Sequence, residues 1–332
     1  MRAAWCAEYG APVELREVDP PALGDGQVRV ALHAAAVNFP DVLMTRGEYQ
    51  IKVPPPFVPG SEFAGVVTEL SPRLLTQFGP TGDGFTSKVA VGDRVFGSTL
   101  VGAFAGEVVV DVSALTPVPD DVDFAAAAAF GVAHRTAWHS LRSVAALQAG
   151  ERVIVLGAGG GVGLAAVQLA AHLGADVVAV ASSADKLAVA QAMGATALVN
   201  HRDADLRAAL KELGGADVVI DPVGGDLAEP ALRALRYGGR FVTVGYASGM
   251  IPKIPLNLVL LKGIDVRGFE FLSFITNRPD DAARNEAELL DLLATGVAFP
   301  HIGARFPLDD VGAALAHVAD GKAIGKVILD IA

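Results

Sequence analysis

The sequence predicts an α/β protein of two domains, a compact antiparallel β domain followed by a doubly wound parallel-sheet domain. Three observations carry this. The 332 residues exceed what one ordinary hydrophobic core organises. Up to about Val118, short β-rich runs are broken by Gly and Pro, the texture of antiparallel sheet. After Pro119, strand and helix patterns alternate, as a parallel sheet covered by helices requires.

In the first region residues 28–32, 64–69, 93–97 and 106–110 read as strands. Residues 71–90, rich in Gly, Pro and Thr, read as a long surface loop or insertion. The second region opens with a helical pattern over 124–147. Strands at 152–156 and 177–181 then alternate with helices at 162–173 and 186–193. Apolar runs at 217–220 and 240–244 continue the parallel sheet. Residues 280–332 read helix, strand, helix, strand and are expected to pack back on the β domain.

Composition narrows the function. Hydrophobic residues make up 52% and charged residues 19%, as in a folded globular protein. The formal net charge of -11, with no basic run against it, disfavours nucleic acid as a partner. Apolar stretches are interrupted before the roughly 20 residues a bilayer needs, and the N-terminus lacks a signal peptide's apolar core. Cytoplasmic location is the default expectation. Cys6 is the single cysteine, so an internal disulfide and a four-cysteine metal site are excluded; it reads as a small buried residue of the first strand.

The chemistry starts at a glycine loop. The strand ending at Leu156 runs into Gly157, Ala158, Gly159, Gly160, Gly161, Val162 and Gly163, which open a helix. Glycines let backbone N–H groups approach a pyrophosphate, and the helix N-terminus adds favourable positive charge there. Such Rossmann units that prefer NAD carry an acid about 20 residues on, at the end of the second strand. Here Ala181 is followed by Ser182, Ser183 and Lys186, which suit the 2′-phosphate of NADPH. The alternative leaves Ser182 as a helix cap and Lys186 as a solvated helix residue.

These and other motifs resemble the medium-chain dehydrogenase/reductase superfamily and, within it, the zinc-independent NADPH:quinone oxidoreductases. The marks are Asn38-Phe39-Pro40-Asp41, Arg46-Gly47-Glu48-Tyr49, Pro59-Gly60-Ser61-Glu62-Phe63-Ala64-Gly65, and Val91-Gly92-Asp93-Arg94-Val95. Further marks are the run from Gly131 to His139, Asp221-Pro222-Val223-Gly224-Gly225 and the run from Gly238 to Gly245. The resemblance implies a GroES-like catalytic domain built from 1–123 and 270–332. It implies a Rossmann NADPH-binding domain over 124–269, and a cleft where nicotinamide meets substrate. Zinc-dependent members carry Cys near Asn38 and His at Ser61; both ligand types are missing here. His134 and His139, five apart on a helix, do not replace them; the histidines read as surface or satisfied core residues.

Without a metal to polarise a simple carbonyl, hydride transfer is directed to quinones, enones or enoyl thioesters, whose product anions are delocalised. The resemblance assigns Tyr49 to the substrate carbonyl, and Asn38 and Thr136 to the nicotinamide ribose and carboxamide. Tyr49 has packing under 54–56 as its alternative, and Asn38 the end of a strand. Asp41 can orient Asn38 or bind backbone N–H groups. Val223, Gly245 and Tyr246 fall at carboxyl ends of parallel strands, where ligands bind. His201 stands where relatives have a Tyr near the adenosine phosphate. The expected partners are a small conjugated carbonyl or quinone and a second copy of the chain, joined through an edge strand near 266–269 beside the apolar run 256–261. A cofactor-binding protein with little turnover is the reading from a different class.

Overall fold

The computed structural model describes residues 1–77 and 89–331. The chain divides into two compact units, Met1–Val132 with Ile302–Ala332, and Ala133–His301.

In the first unit a hairpin of β1 (Arg2–Trp5) and β2 (Glu14–Glu17) precedes the main sheet. Among the described residues that sheet has seven strands. They are β3 (Gln27–Val37), β4 (Glu62–Leu70), β5 (Arg94–Ser98), β6 (Glu107–Asp111), β7 (Leu115–Pro117), β14 (Ile302–Pro307) and β15 (Lys326–Asp330). In β3 burial alternates from Gln27 to His33 and is then continuous from Ala34 to Val37. The continuous stretch is where β15 on one side and β4 on the other enclose it. Val28, Val30, Leu32, Phe63, Phe104 and Leu329 form the core.

A short helix α1 (Phe39–Thr45) follows β3 directly, with Pro40 in its first turn, where a missing N–H costs nothing. The stretch 71–90, expected as loop, opens instead with α2 (Pro72–Gln77). Residues 78–88 of it lie outside the described residues. Cys6 is buried as expected but lies just past β1, in an isolated bridge to Phe57.

The second unit holds a six-stranded, all-parallel sheet. Its strands are β8 (Arg152–Leu156), β9 (Asp176–Ala181), β10 (Ala197–Asn200), β11 (Ala216–Asp221), β12 (Leu235–Thr243) and β13 (Asp265–Gly268). Their order β10-β9-β8-β11-β12-β13 is that of the doubly wound dinucleotide fold, with the switch point between β8 and β11. The strands read as near-continuous apolar runs because helices cover both faces; Ile154, Leu156, Val178, Val180, Val219 and Phe241 are fully buried. Helices α4 (Gly161–His172) and α5 (Ala184–Ala192) follow β8 and β9.

Two boundaries differ from the sequence division. Helix α3 (Phe124–His139) passes into a π-helical turn, Ser140–Ala145, ended by Ala146 at φ 50°, short of the helix expected to 147. Residues 270–301 belong to the second unit, and only 302–332 completes the first. The reason is side-chain contact: α6 (Pro279–Ala294) sets Glu286 against Arg135 at 2.6 Å and Asn285 against His139. Strands β14 and β15 instead extend the first unit's sheet. Among the described residues no helix is long and apolar enough to cross a membrane.

His139 is buried, accepts from the Asn285 side chain at 3.0 Å through Nδ1, and lies within 6.0 Å of the rings of Phe269, Phe271 and Phe274. Burial lowers its pKa to about 4, with Arg135 lowering it further and Glu286 and Asp281 opposing. A depressed base contributes stability that is complete above its unfolded value of about 6.5 and is lost as pH falls toward 4, roughly 3 kcal/mol in all. His139→Gln should therefore flatten the fall in melting temperature between pH 7 and pH 5. Parallel melting curves for the two proteins over that range would remove the assignment.

Candidate cofactor and active site

The glycine loop leaves β8 with backbone only glycine tolerates. Gly157 has φ +60°, and a Cβ there would lie 2.5 Å from Val223 Cγ2. At Gly163 a Cβ would meet Gly157 O at 2.1 Å, so the absence of a side chain sets how closely α4 approaches the loop. The Ala158 N–H donates to Val180 O at 2.9 Å, tying the loop to β9, and Gly160 caps α4. The first-turn N–H groups of α4, at Gly161, Val162 and Gly163, have no intrahelical acceptor, which is what an anion needs. A Cβ at Gly159 would fall 2.5 to 2.7 Å from Cβ, Cγ and Cδ of Lys186, so the lysine stem lies on the loop.

Lys186 is in the first turn of α5, and Ser183 rather than Ser182 caps that helix, its Oγ accepting the Lys186 N–H at 3.4 Å. Burial lowers the Lys186 pKa, and the neighbouring Arg202 lowers it further. His201 donates its N–H to Ala181 O at 3.1 Å, placing it beside the end of β9. Its imidazole is shifted down by burial, then by Arg202 and Lys186. Two hydroxyls, an imidazole and two mutually repelling cations thus share the ends of β9 and β10, an arrangement a dianion relieves. Arg202 was missed in the sequence, because nothing in its spacing relates it to Lys186 until β10 pairs with β9.

Asp221 is fully buried at the end of β11, where its Oδ1 accepts the N–H groups of Val223 and Gly224 at 2.9 and 2.8 Å. Burial raises its pKa against those two bonds. Backbone bonds from Ala247 to Pro222, Ser248 to Val223 and Gly225 to Met250 zip this turn to the loop after β12. A Cβ at Gly224 would come 2.8 Å from the Tyr246 ring, so Val223, Gly245 and Tyr246 form one surface of paired loops. Two open grooves of about 490 and 520 Å³ in this unit are lined by Arg207 and Arg233 and lie away from the glycine loop.

In the first unit, strand register gathers a buried polar group. Ala36 stands opposite Glu62 on β4, and Val37 opposite Val327 on β15, so Asn38, Glu62 and Lys326 meet at the end of β3. Lys326 Nζ donates to Asn38 Oδ1 at 2.6 Å and to Glu62 Oε2 at 2.8 Å. Asn38 Nδ2 donates to Glu62 Oε2 at 3.1 Å, and Glu62 Oε1 accepts the Val132 N–H at 2.6 Å. Asn38 both ends β3 and caps α1; its backbone N–H reaches Asp41 Oδ2 at 2.7 Å. Asp41 thus binds the residue it was expected to orient. Burial pushes its pKa up to about 7, with Glu62 adding to the rise, while the Asn38 N–H, Ser61 and Lys326 oppose it.

Tyr49 sits apart from this group, half-buried against a small cluster of Cys6, Met44 and Phe57. Thr136 is half-buried on α3, in the second unit with the glycine loop.

Comparison with known proteins accounts for this pairing of units. Residues 24–120 match the alcohol dehydrogenase GroES-like domain and 161–292 match the zinc-binding dehydrogenase family. Quinone oxidoreductase-like protein 2 of Bos taurus is 38% identical over 334 residues, covering 99% of this chain and 92% of that protein. The chain belongs to the quinone oxidoreductase-like medium-chain dehydrogenase/reductases. The Escherichia coli quinone oxidoreductase, solved as a complex with NADPH, superposes on this family member with a TM-score of 0.87 at 26% identity, covering 100% of both chains. The spectinabilin polyketide synthase system protein NorB of Streptomyces orinoci is 37% identical over 98% of this chain, which spans 14% of that protein.

The donor set of this quinone oxidoreductase-like chain does not fit the zinc its domain family is named for. Where that metal's ligands are expected stand an amide, a hydroxyl and a carboxylate whose two oxygens already hold Val132 and Lys326. Among the described residues no group of three His, Cys, Asp or Glu could hold a metal ion. For the dinucleotide the test goes the other way, since the loop needs glycine where a Cβ would strike backbone or the lysine stem. Lys326 was not singled out in the sequence; its one mark is a lysine opening the apolar strand Lys326–Asp330.

Proposed function

We propose that the chain is an NADPH-dependent reductase of quinones or other conjugated carbonyl compounds that works without a metal. The observation that carries this reading is the glycine loop with Lys186 lying on it and Arg202 beside it. The loop amides and the start of α4 take the pyrophosphate, and Ser182, Ser183, Lys186 and Arg202 take the 2′-phosphate, with His201 at its edge. Val223, Gly245 and Tyr246 supply the paired loops for the rest of the nucleotide, and Asn38 and Thr136 orient the nicotinamide end. Bound NADPH supplies a hydride. The Tyr49 hydroxyl donates a hydrogen bond to the substrate oxygen as charge develops there, and a conjugated acceptor spreads that charge without a Lewis acid.

The test is steady-state cofactor oxidation over quinones, enones and enoyl thioesters, with wild type and Lys186→Ala. Turnover on conjugated acceptors is expected, with the variant's Michaelis constant raised at least tenfold more for NADPH than for NADH. No turnover on any acceptor would leave a binding protein, and equal effects on both cofactors would remove Lys186 from the 2′-phosphate. The likeness to a polyketide synthase protein favours enoyl thioesters as the second reading.

A homodimer is part of the proposal. Among the described residues β13 is an unpaired edge of its sheet, and Leu256, Leu260 and Leu261 beside it are each more than 70% exposed. Light scattering at micromolar concentration should give twice the mass of the chain; a monomer mass would defeat this.

A further inference from the structure

We propose that Glu62 and Lys326 are positioning residues that fix the polarity of the Asn38 amide, so that its oxygen is the only group it offers a ligand. The inference rests on reading Asn38 as a cofactor contact.

The argument is one of hydrogen-bond capacity. An ammonium only donates and a carboxylate only accepts, so the two charged neighbours determine which end of the amide faces which. Lys326 Nζ at 2.6 Å must face the oxygen, and Glu62 Oε2 at 3.1 Å must face the nitrogen. The second N–H of the amide points to Ala36 O at 3.4 Å. Both donors are therefore engaged within the protein. The oxygen has two lone pairs and Lys326 takes one. The Asp41 N–H, which faces the Asn38 side chain in the capping box, makes its hydrogen bond to the Asn38 main-chain oxygen at 3.1 Å, which leaves the second lone pair of the 9% exposed Asn38 side chain for a ligand. Such a group accepts from a hydroxyl, as on the ribose of a nicotinamide nucleotide, and cannot donate to a developing oxyanion. The pair that imposes this is 4% and 1% exposed, so water does not compete for either partner.

Glu62→Gln tests the clamp. A glutamine satisfies the Val132 N–H with its oxygen only by turning its NH₂ toward Asn38 and Lys326, where donors already stand. The Asn38 amide then loses its fixed orientation. NADPH dissociation constants by fluorescence titration, melting temperatures and turnover at saturating NADPH are measured for Asn38→Ala, Glu62→Gln and the two combined. Each single change is expected to raise the dissociation constant about tenfold, and the combination no further, because Glu62 acts through Asn38. Effects that multiply to about a hundredfold in the combination would overturn the proposal. Should Asn38→Ala lower turnover at unchanged NADPH affinity, Asn38 donates to substrate and the assigned polarity is wrong. If Asn38→Ala changes neither, the reading of Asn38 itself falls and the proposal with it. Should Glu62→Gln fail to fold, the neutral pair Glu62→Gln with Lys326→Met replaces it in the same comparison, judged by the same non-additivity.

Discussion

Gly163→Ala is expected to lower turnover with NADPH by a hundredfold or more, with the loss residing in NADPH affinity. The added Cβ would sit 2.1 Å from Gly157 O and 2.8 Å from Ala158 Cα. Both are backbone atoms of the loop, so neither can rotate away. The helix must withdraw, and a displacement of about an ångström at a binding loop costs on the order of a hundredfold. Gly160→Ala is the control, because its Cβ meets nothing nearer than Gly157 O at 3.5 Å and its φ of -87° suits any residue. That protein should melt with wild type, so any loss of affinity there reports the approach of the pyrophosphate itself. Wild-type NADPH affinity in Gly163→Ala, measured by fluorescence titration, would show that the dinucleotide does not use this loop.

Tyr49→Phe separates the substrate classes. The ring packs on Cys6, Met44 and Phe57, and phenylalanine keeps that packing, so melting temperature should hold. What is lost is the hydroxyl. An enone or enoyl thioester concentrates developing charge on one oxygen, and turnover there should fall by roughly the hundredfold typical of a lost oxyanion donor. A quinone spreads the charge over a ring and a second carbonyl, so its loss should be smaller. An unchanged rate on every accepted substrate, at an unchanged melting temperature, would leave Tyr49 with packing alone.

The parallel-sheet unit was legible in the sequence because its order is local. Each strand and the helix after it are contiguous, and the loop that joins β8 to α4 announces itself by clustered glycines, of which Gly163 is required by backbone only a few residues away. Asn38, Ser182, Ser183 and Lys186 stood out for the same reason, as short motifs beside strand ends. Where the second unit ends could not be read, since 270–301 is assigned by contacts such as Glu286 with Arg135 across 151 positions. Arg202 joins Lys186 only through the pairing of β10 with β9. Lys326 meets Asn38 across 288 positions because β15 closes on β3. A buried charge is tolerated only with its partner in place, and that partner is chosen by strand register between distant segments, which no local pattern encodes.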